Sequence, residues 1–322
     1  MIIVTLLINV NMLKKGEIMD ESSLPPILYR YRTCTDYNIK AFMFDEFWVS
    51  STLSFNDFYD SILIDDTEKL INQIKMDYGK NTLFNLLYHN NLLFSDFYRQ
   101  NIEEHIHNLI SFYKEKLLYK IKKKFYVACL SETIENELMW SIYADGGRGY
   151  GLAYATDILK DDDTFIINKV KYMNNRPKKD LLFDFFKWYK ERFNINHNTD
   201  NNLDSMLSEF IEQKQKKVRD VINIIAFEKN KCWKSEKEYR LLYMSQSECQ
   251  LSYKNIKTIR PKAIYFGEFM SLHHKYILIK WAFYHGLEIY EIYSNNNKIF
   301  YKDVYEKYKN EIGILENICS GQ

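Results

Sequence analysis

Residues 231–244 read KCWKSEKEYRLLYM, and the reading of this stretch decides the fold. In an extended strand successive side chains alternate between faces. Glu236, Glu238 and Arg240 then share one side, and Lys237, Tyr239 and Leu241 the other. Carboxylates two positions apart on a strand lie about 7 Å from each other, and the guanidinium of Arg240 is next in the row. Such a row is costly to bury unless each charge meets a partner or a ligand. Two readings follow: an edge strand with a ladder of surface ion pairs, or the strand of an active site.

The rest of the chain sets bounds. With 322 residues and 46% hydrophobic content it can bury a sizeable core. Lys plus Arg number 44 against 43 Asp plus Glu, so no global basic field recruits nucleic acid, although a local patch stays open. Aromatic content is 16%, while Gly (10) and Pro (4) are scarce, which suits a helix-rich globular protein and excludes a disordered or fibrous one. The five cysteines, Cys34, Cys129, Cys232, Cys249 and Cys319, lack metal-type spacing, and a reduced, cytoplasmic setting fits their odd number. The opening MIIVTLLINVNMLKKG places its lysines after the apolar run, lacks a small-residue cleavage site and is too short to cross a membrane. It reads as a buried first strand or as a start upstream of the native one, with Met12 and Met19 as alternatives.

In chain order, residues 27–32 (ILYRYR) alternate like a strand, with Arg30 and Arg32 on one face and Tyr29 and Tyr31 on the other. Asp36 is the expected cap of a helix over 37–46, FWVSS (47–51) reads as a second strand, and Asn56 and Asp57 sit in a polar-aromatic turn. Helical spacing fills 67–90 and 95–124. FYVACLS (125–131) is a strand, and 135–144 a short helix presenting Met139, Trp140 and Tyr143. The segment DGGRGYGLAYA holds four glycines; Gly146 and Gly147 give a turn, and Arg148 and Gly149 lead into the strand GLAYA. A strand near 164–172, helices over 178–192 and 201–229, strands at 263–266 and 287–293 and a helix over 269–285 complete the pass. The expectation is an α+β protein: a 1–26 segment, a 27–293 domain built on a single mixed sheet with helical insertions at 67–124 and 178–229, and a 294–322 extension. The sheet order does not follow from the sequence.

LYRYR, SFND with Asp60 following, ACLS, LMWSIYA with Arg148–Gly149, WKSEKEYR and IYFGE occur in that order. This succession resembles a large bacterial family known as domain of unknown function twenty-nine seventy-one, over about residues 27–293. Ile142 and Gly147 stand where that family often has histidines, so no imidazole role carries over, and the family name implies no activity.

A second similarity does imply one. ADP-ribosyltransferases of the arginine-serine-glutamate type place an arginine on a first strand, a serine on a later one and a glutamate-x-glutamate pair on a late strand. Arg30 or Arg32, Ser50 with Ser51, and Glu236 with Glu238 resemble that order, and Ser131 is an alternative serine. The resemblance implies cleavage of the nicotinamide–ribose bond of NAD through an oxocarbenium-like state, which a fixed carboxylate stabilises. Glu238 would serve there and Glu236 would orient the acceptor macromolecule. Arg32 would hold the pyrophosphate, with Arg30, Ser50, Ser51, Asn56, Arg148 and Arg240 as further binding candidates and Trp140 or Tyr143 stacking on a ring. A toxin or phage-defence role follows by analogy with proteins that consume NAD. Two alternatives remain: a magnesium-dependent phosphodiesterase or nuclease using Asp57, Asp60, Glu236 and Glu238, and a non-catalytic binding or sensor module.

Overall fold

A computed structural model describes residues 24–55, 68–72, 102–160, 165–174, 181–195, 203–245, 253–296 and 298–311. It is an α+β protein. In chain order come β1 (Ile27–Arg32), α1 (Asp36–Met43), β2 (Glu46–Ser51), a 3₁₀ turn (Thr52–Ser54), α2 (Ile102–Lys122), β3 (Phe125–Ser131), α3 (Glu137–Tyr143), β4 (Tyr150–Ala155) and α4 (Thr156–Lys160). β5 (Phe165–Lys169), β6 (Lys171–Met173), α5 (Leu181–Ile195), α6 (Leu203–Gln213), α7 (Gln215–Phe227) and β7 (Glu228–Asn230) follow. A 3₁₀ segment (Lys231–Glu236) then leads to β8 (Glu238–Met244), β9 (Tyr253–Thr258), β10 (Ala263–Phe266), α8 (Leu272–Tyr284), β11 (Glu288–Asn295) and β12 (Lys298–Asp303).

Ten strands form one mixed sheet in the order β12-β11-β10-β4-β1-β3-β2-β9, with β8 lying between β3 and β5. Only β10 and β11 run parallel in it, and β6 and β7 make a separate parallel pair. The strand 238–244 is therefore interior and not an edge: β3 hydrogen-bonds it on one side and β5 on the other. That rules out the ladder of surface ion pairs. The sheet also runs past 293 into β12, whose Tyr301 pairs with Ile292.

Registers define the two faces. Tyr29 lies opposite Ser131, and Ser131 opposite Glu238, while Cys129 faces Arg240 and Ser50 faces Val127. One face thus carries Tyr29, Ser50, Val127, Cys129, Glu238, Arg240 and Leu242. Helices α2, α5, α6 and α7 cover its lower end in a core with Phe125, Val127, Leu242 and Met244. α3, with Met139 and Trp140, and Ile134 of the loop before it cover the other end, packed on Tyr31, Ala153 and Tyr265. The opposite face, with Phe47, Val49, Ala128, Leu130 and Leu241, is sealed by Phe42 of α1 and Leu278, Ile279 and Ala282 of α8.

A seam is left between the two helical covers. The same edge of β3 is shared by β1, registered at Ser131, and β2, registered at Val127 and Tyr126. Between those points β1 and β2 part. Gly149 brings β1 into place: a Cβ there would lie 2.1 Å from the Arg32 carbonyl oxygen.

Several sequence expectations shift. Thr35, not Asp36, caps α1 by accepting from the Asn38 amide, and Asp36 becomes the first-turn acid that suits the helix dipole. The helix expected over 201–229 breaks at Lys214 into α6 and α7, and the strand near 164–172 divides after Lys169, sending β6 into the small sheet. Of the blocks 67–90 and 95–124, residues 68–72 and α2 are helical.

Candidate functional site

The seam holds a cavity of about 350 Å³. Glu236 does not reach it as a strand residue, contrary to the alternation argument. It ends a 3₁₀ segment, and Lys237 follows in the left-handed region at φ 47°, so only Glu238 and Arg240 share the strand face. The turn is pinned on three sides. The Ser131 hydroxyl donates to the Glu236 carbonyl at 2.8 Å, the Glu132 amide donates to the Lys237 carbonyl, and the Asn136 side chain donates to the Ser235 carbonyl.

The result is a buried ion cluster. Arg240, with no solvent exposure, donates from Nε to Glu238 Oε1 at 2.7 Å and from a terminal nitrogen to Oε2 at 3.3 Å. Its other terminal nitrogen reaches the Ala226 carbonyl at 3.0 Å. Lys229 of β7 bridges both carboxylates, 2.7 Å from Glu236 Oε2 and 3.3 Å from Glu238 Oε2. The Tyr143 hydroxyl donates to Glu236 Oε1 at 3.0 Å. Burial alone would raise the Glu238 carboxyl, but Arg240 and Lys229 outweigh it and hold it at about 2. Glu236 is raised instead, because burial outweighs the attraction of Lys229. Burial opposes the Lys229 charge, yet Glu238 and Glu236 raise its pKa above the ordinary lysine value. Glu238 and Lys229 are therefore charged at neutral pH.

Two further cations border the same cavity. Arg30 and Arg32 leave β1 on the face opposite Tyr29, but the parting of β1 from β2 opens them to the cavity. Arg30 donates to the Trp48 carbonyl at 2.6 Å and lies 4.8 Å from the Phe47 ring centroid. Burial, and then repulsion from Arg32, lowers it to about 9, so it stays charged at neutral pH. Among the described residues neither Arg30 nor Arg32 forms an ion pair with a carboxylate. Among the described residues Lys229 and Arg240 pair with Glu236 and Glu238, and Arg30 and Arg32 add positive charge at the edge of the cavity. A site of this kind takes an anion, and a guanidinium pair suits phosphate oxygens.

Tyr143, Ser50, Glu236, Glu238, Arg30, Arg32 and Arg240 thus come together. Others do not. Ser51 turns to the opposite face and caps the 3₁₀ turn by accepting from the Leu53 amide. Trp140, expected to stack on a ligand ring, is buried beneath α3, donating to the Ile134 carbonyl at 2.7 Å and meeting Tyr31 edge to face. Arg148 stays on the exposed glycine turn beside Asp145, because Gly146 and Gly147 fold that turn away at φ 60° and 81°. Asn56, Asp57 and Asp60 lie outside the described residues. Among those described, no group of three or more His, Cys, Asp or Glu could hold a metal ion.

Sequence reasoning missed Lys229, Trp233 and Cys129. One guanidinium cannot balance two buried carboxylates, so a second cation was implied; Lys231, Lys234 and Lys237 stand nearer in sequence, which hid the one used. Cys129 forms part of the cavity floor; its side chain is open to the cavity but lies deep among protein atoms, and that depth, with Glu238, raises its thiol well above the usual value.

An acid titration reads this cluster directly. Glu238 is depressed from 4.5 to about 2, so its stabilisation is complete above pH 4.5 and is lost as pH falls through about 2. Glu236, raised by the fold, works in the opposite sense. The unfolding free energy of the wild type should fall between pH 4.5 and 2, and Glu238→Gln should flatten that limb; an unchanged limb would contradict the ion cluster.

The family model described as protein of unknown function (DUF2971) matches residues 139–241. That span starts in α3 and ends within β8, so it takes in Tyr143, Lys229, Trp233, Glu236, Glu238 and Arg240. The chain resembles that family across this half of the cavity. No curated protein and no solved structure matches the chain. Among the described residues no helix is long and apolar enough to cross a membrane.

Proposed function

We propose that the cavity binds NAD and cleaves its nicotinamide–ribose bond, in the manner of an ADP-ribosyltransferase. The observation that carries this reading is the pair Arg30 and Arg32, charged and without a carboxylate partner among the described residues, beside a buried, ionised Glu238. The arginines would hold the pyrophosphate, and Trp233, Tyr143 and Phe55 would flank a ring. A volume of about 350 Å³ sits at the lower end of small-molecule sites, roughly 300–1,000 Å³. It accommodates the nicotinamide–ribose–phosphate half, with the adenosine reaching outward. Glu238 would face the developing positive charge on the ribose. Consumption of NAD would suit a toxin or phage-defence effector, with a macromolecule or water as acceptor.

One observation favours a second reading, a module that binds a phosphorylated ligand without turnover. Lys229 and Arg240 already neutralise both carboxylates, and that pairing serves a structural role equally well. Nicotinamide release by the purified full chain, with magnesium and with a chelator, separates the readings. NAD cleavage predicts release in both conditions. Release lost with chelator points to a metal-dependent reaction, binding without release to the module, and neither binding nor release removes the nucleotide reading.

A further inference from the structure

The short helix α3 has a cavity on each flank. Met139, Ile142 and Tyr143 border the seam cavity, whereas Glu137, Trp140 and Ser141 border a second one of about 450 Å³. At 3.6 residues per turn the two sets fall on opposite faces of the helix. The remaining walls of the second cavity are the glycine turn, Phe269 and the β11–β12 hairpin, which presents Ile292, Lys298 and Ile299.

Phe269 is 66% exposed and yet fixed in place. Its amide donates to the Gly147 carbonyl at 3.0 Å, and its ring rests 3.3 Å from where a Cβ on Gly147 would stand. Gly147 lies at φ 81°, so a side chain there would be strained as well as crowded. The bare turn thus holds an apolar platform ready before any ligand arrives.

The charges around this cavity are of both signs and do not meet. Glu137, Glu268 and Lys298 line it, but among the described residues none of the three forms an ion pair. The Lys298 ammonium therefore lies beyond ion-pair distance of either carboxylate. Glu268 is anchored at the hairpin, where it accepts from the Ser294 amide at 3.0 Å.

We propose that the second cavity binds a free α-amino acid with an apolar side chain. Its ammonium would pair with Glu137 and Glu268, its carboxylate with Lys298, and its side chain would cover Phe269, Ile292 and Ile299. The volume of about 450 Å³ falls within the range of small-molecule sites, roughly 300–1,000 Å³. Simple ions match less well: a lone cation meets Lys298, and a lone anion meets two carboxylates. A neutral sugar leaves all three charges without a counterpart. The ligand would rest on the flank of α3 opposite Tyr143, whose hydroxyl holds Glu236. The proposal stands whether or not the seam cavity cleaves NAD.

Isothermal titration of the full chain with L-phenylalanine tests it. Phenethylamine, which lacks the carboxylate, and phenylpropionate, which lacks the ammonium, should each bind about fivefold more weakly. Lys298→Met should weaken L-phenylalanine by a similar factor and leave phenethylamine no weaker. Glu137→Gln with Glu268→Gln should do the converse, weakening L-phenylalanine and leaving phenylpropionate no weaker. Phe269→Ala, at an exposed ring, should weaken L-phenylalanine about fivefold. No binding heat from L-phenylalanine overturns the proposal. So does either analogue binding as tightly as the amino acid, or a Lys298→Met or Phe269→Ala isotherm that overlays the wild type. Tighter binding of glucose or adenosine overturns it as well.

Discussion

Glu238→Gln is expected to lower nicotinamide release on the order of 10²-fold or more while leaving NAD affinity little changed. Glutamine keeps the size of the side chain and can still accept from Arg240 Nε, but it removes the charge. If that charge stabilises an oxocarbenium-like ribose, the loss falls on turnover and not on binding. The substitution also removes the charge that Arg240 and Lys229 share at Glu238, so the variant is assayed well below its melting temperature, with circular dichroism checking that it is folded. Release at the wild-type rate would assign Glu238 to the ion cluster and nothing more.

Arg240→Met should produce the largest stability loss. Arg240 is completely buried, holds both oxygens of Glu238 and satisfies the Ala226 carbonyl. Its removal leaves Glu238, among the described residues, with the 3.3 Å contact to Lys229 and the Cys129 thiol, in a site where an unbalanced charge is expensive. Breaking a buried pair from one side costs about 3–5 kcal/mol, which lowers the melting temperature on the order of 10 °C. Adding Glu238→Gln to Arg240→Met should restore part of the loss, because the stranded charge goes too. A single variant melting within a degree of wild type would show that the cluster contributes nothing to the fold.

These expectations rest partly on features legible in the sequence. Alternation marked β1 and β2, while β3, β4 and β8 were legible as short apolar runs, being buried at nearly every position. It did not reveal β9 (YKNIKT) or β12 (KIFYKD), where lysines sit among apolar residues on outlying strands. Charged edges of that kind guard against strand addition and blur the pattern. The Lys214 break was hidden by an apolar stripe that continues from Phe210 to Val218 on both sides of it.

For the site, the polar residues were legible and their geometry was not. Glu236 and Glu238 do converge, but through a left-handed Lys237 that no glycine marks. Arg30 and Arg32 meet the cavity only because β1 and β2 share one edge of β3, a fact of sheet order. Trp140 and Tyr143 are three apart on one helix, yet the tryptophan turns into the core and the tyrosine toward Glu236.

The central claim is that Arg30 and Arg32 hold the phosphates of NAD in the seam. Isothermal titration of NAD into wild type and Arg32→Ala tests it most directly, since Arg32 is half-buried and makes no ion pair among the described residues. Losing one charge-assisted phosphate contact, worth about 1.5–3 kcal/mol, predicts binding weaker by at least tenfold in the variant, with an unchanged melting temperature. Wild-type protein that gives no binding heat and no release, or an Arg32→Ala isotherm that overlays the wild type, would contradict it.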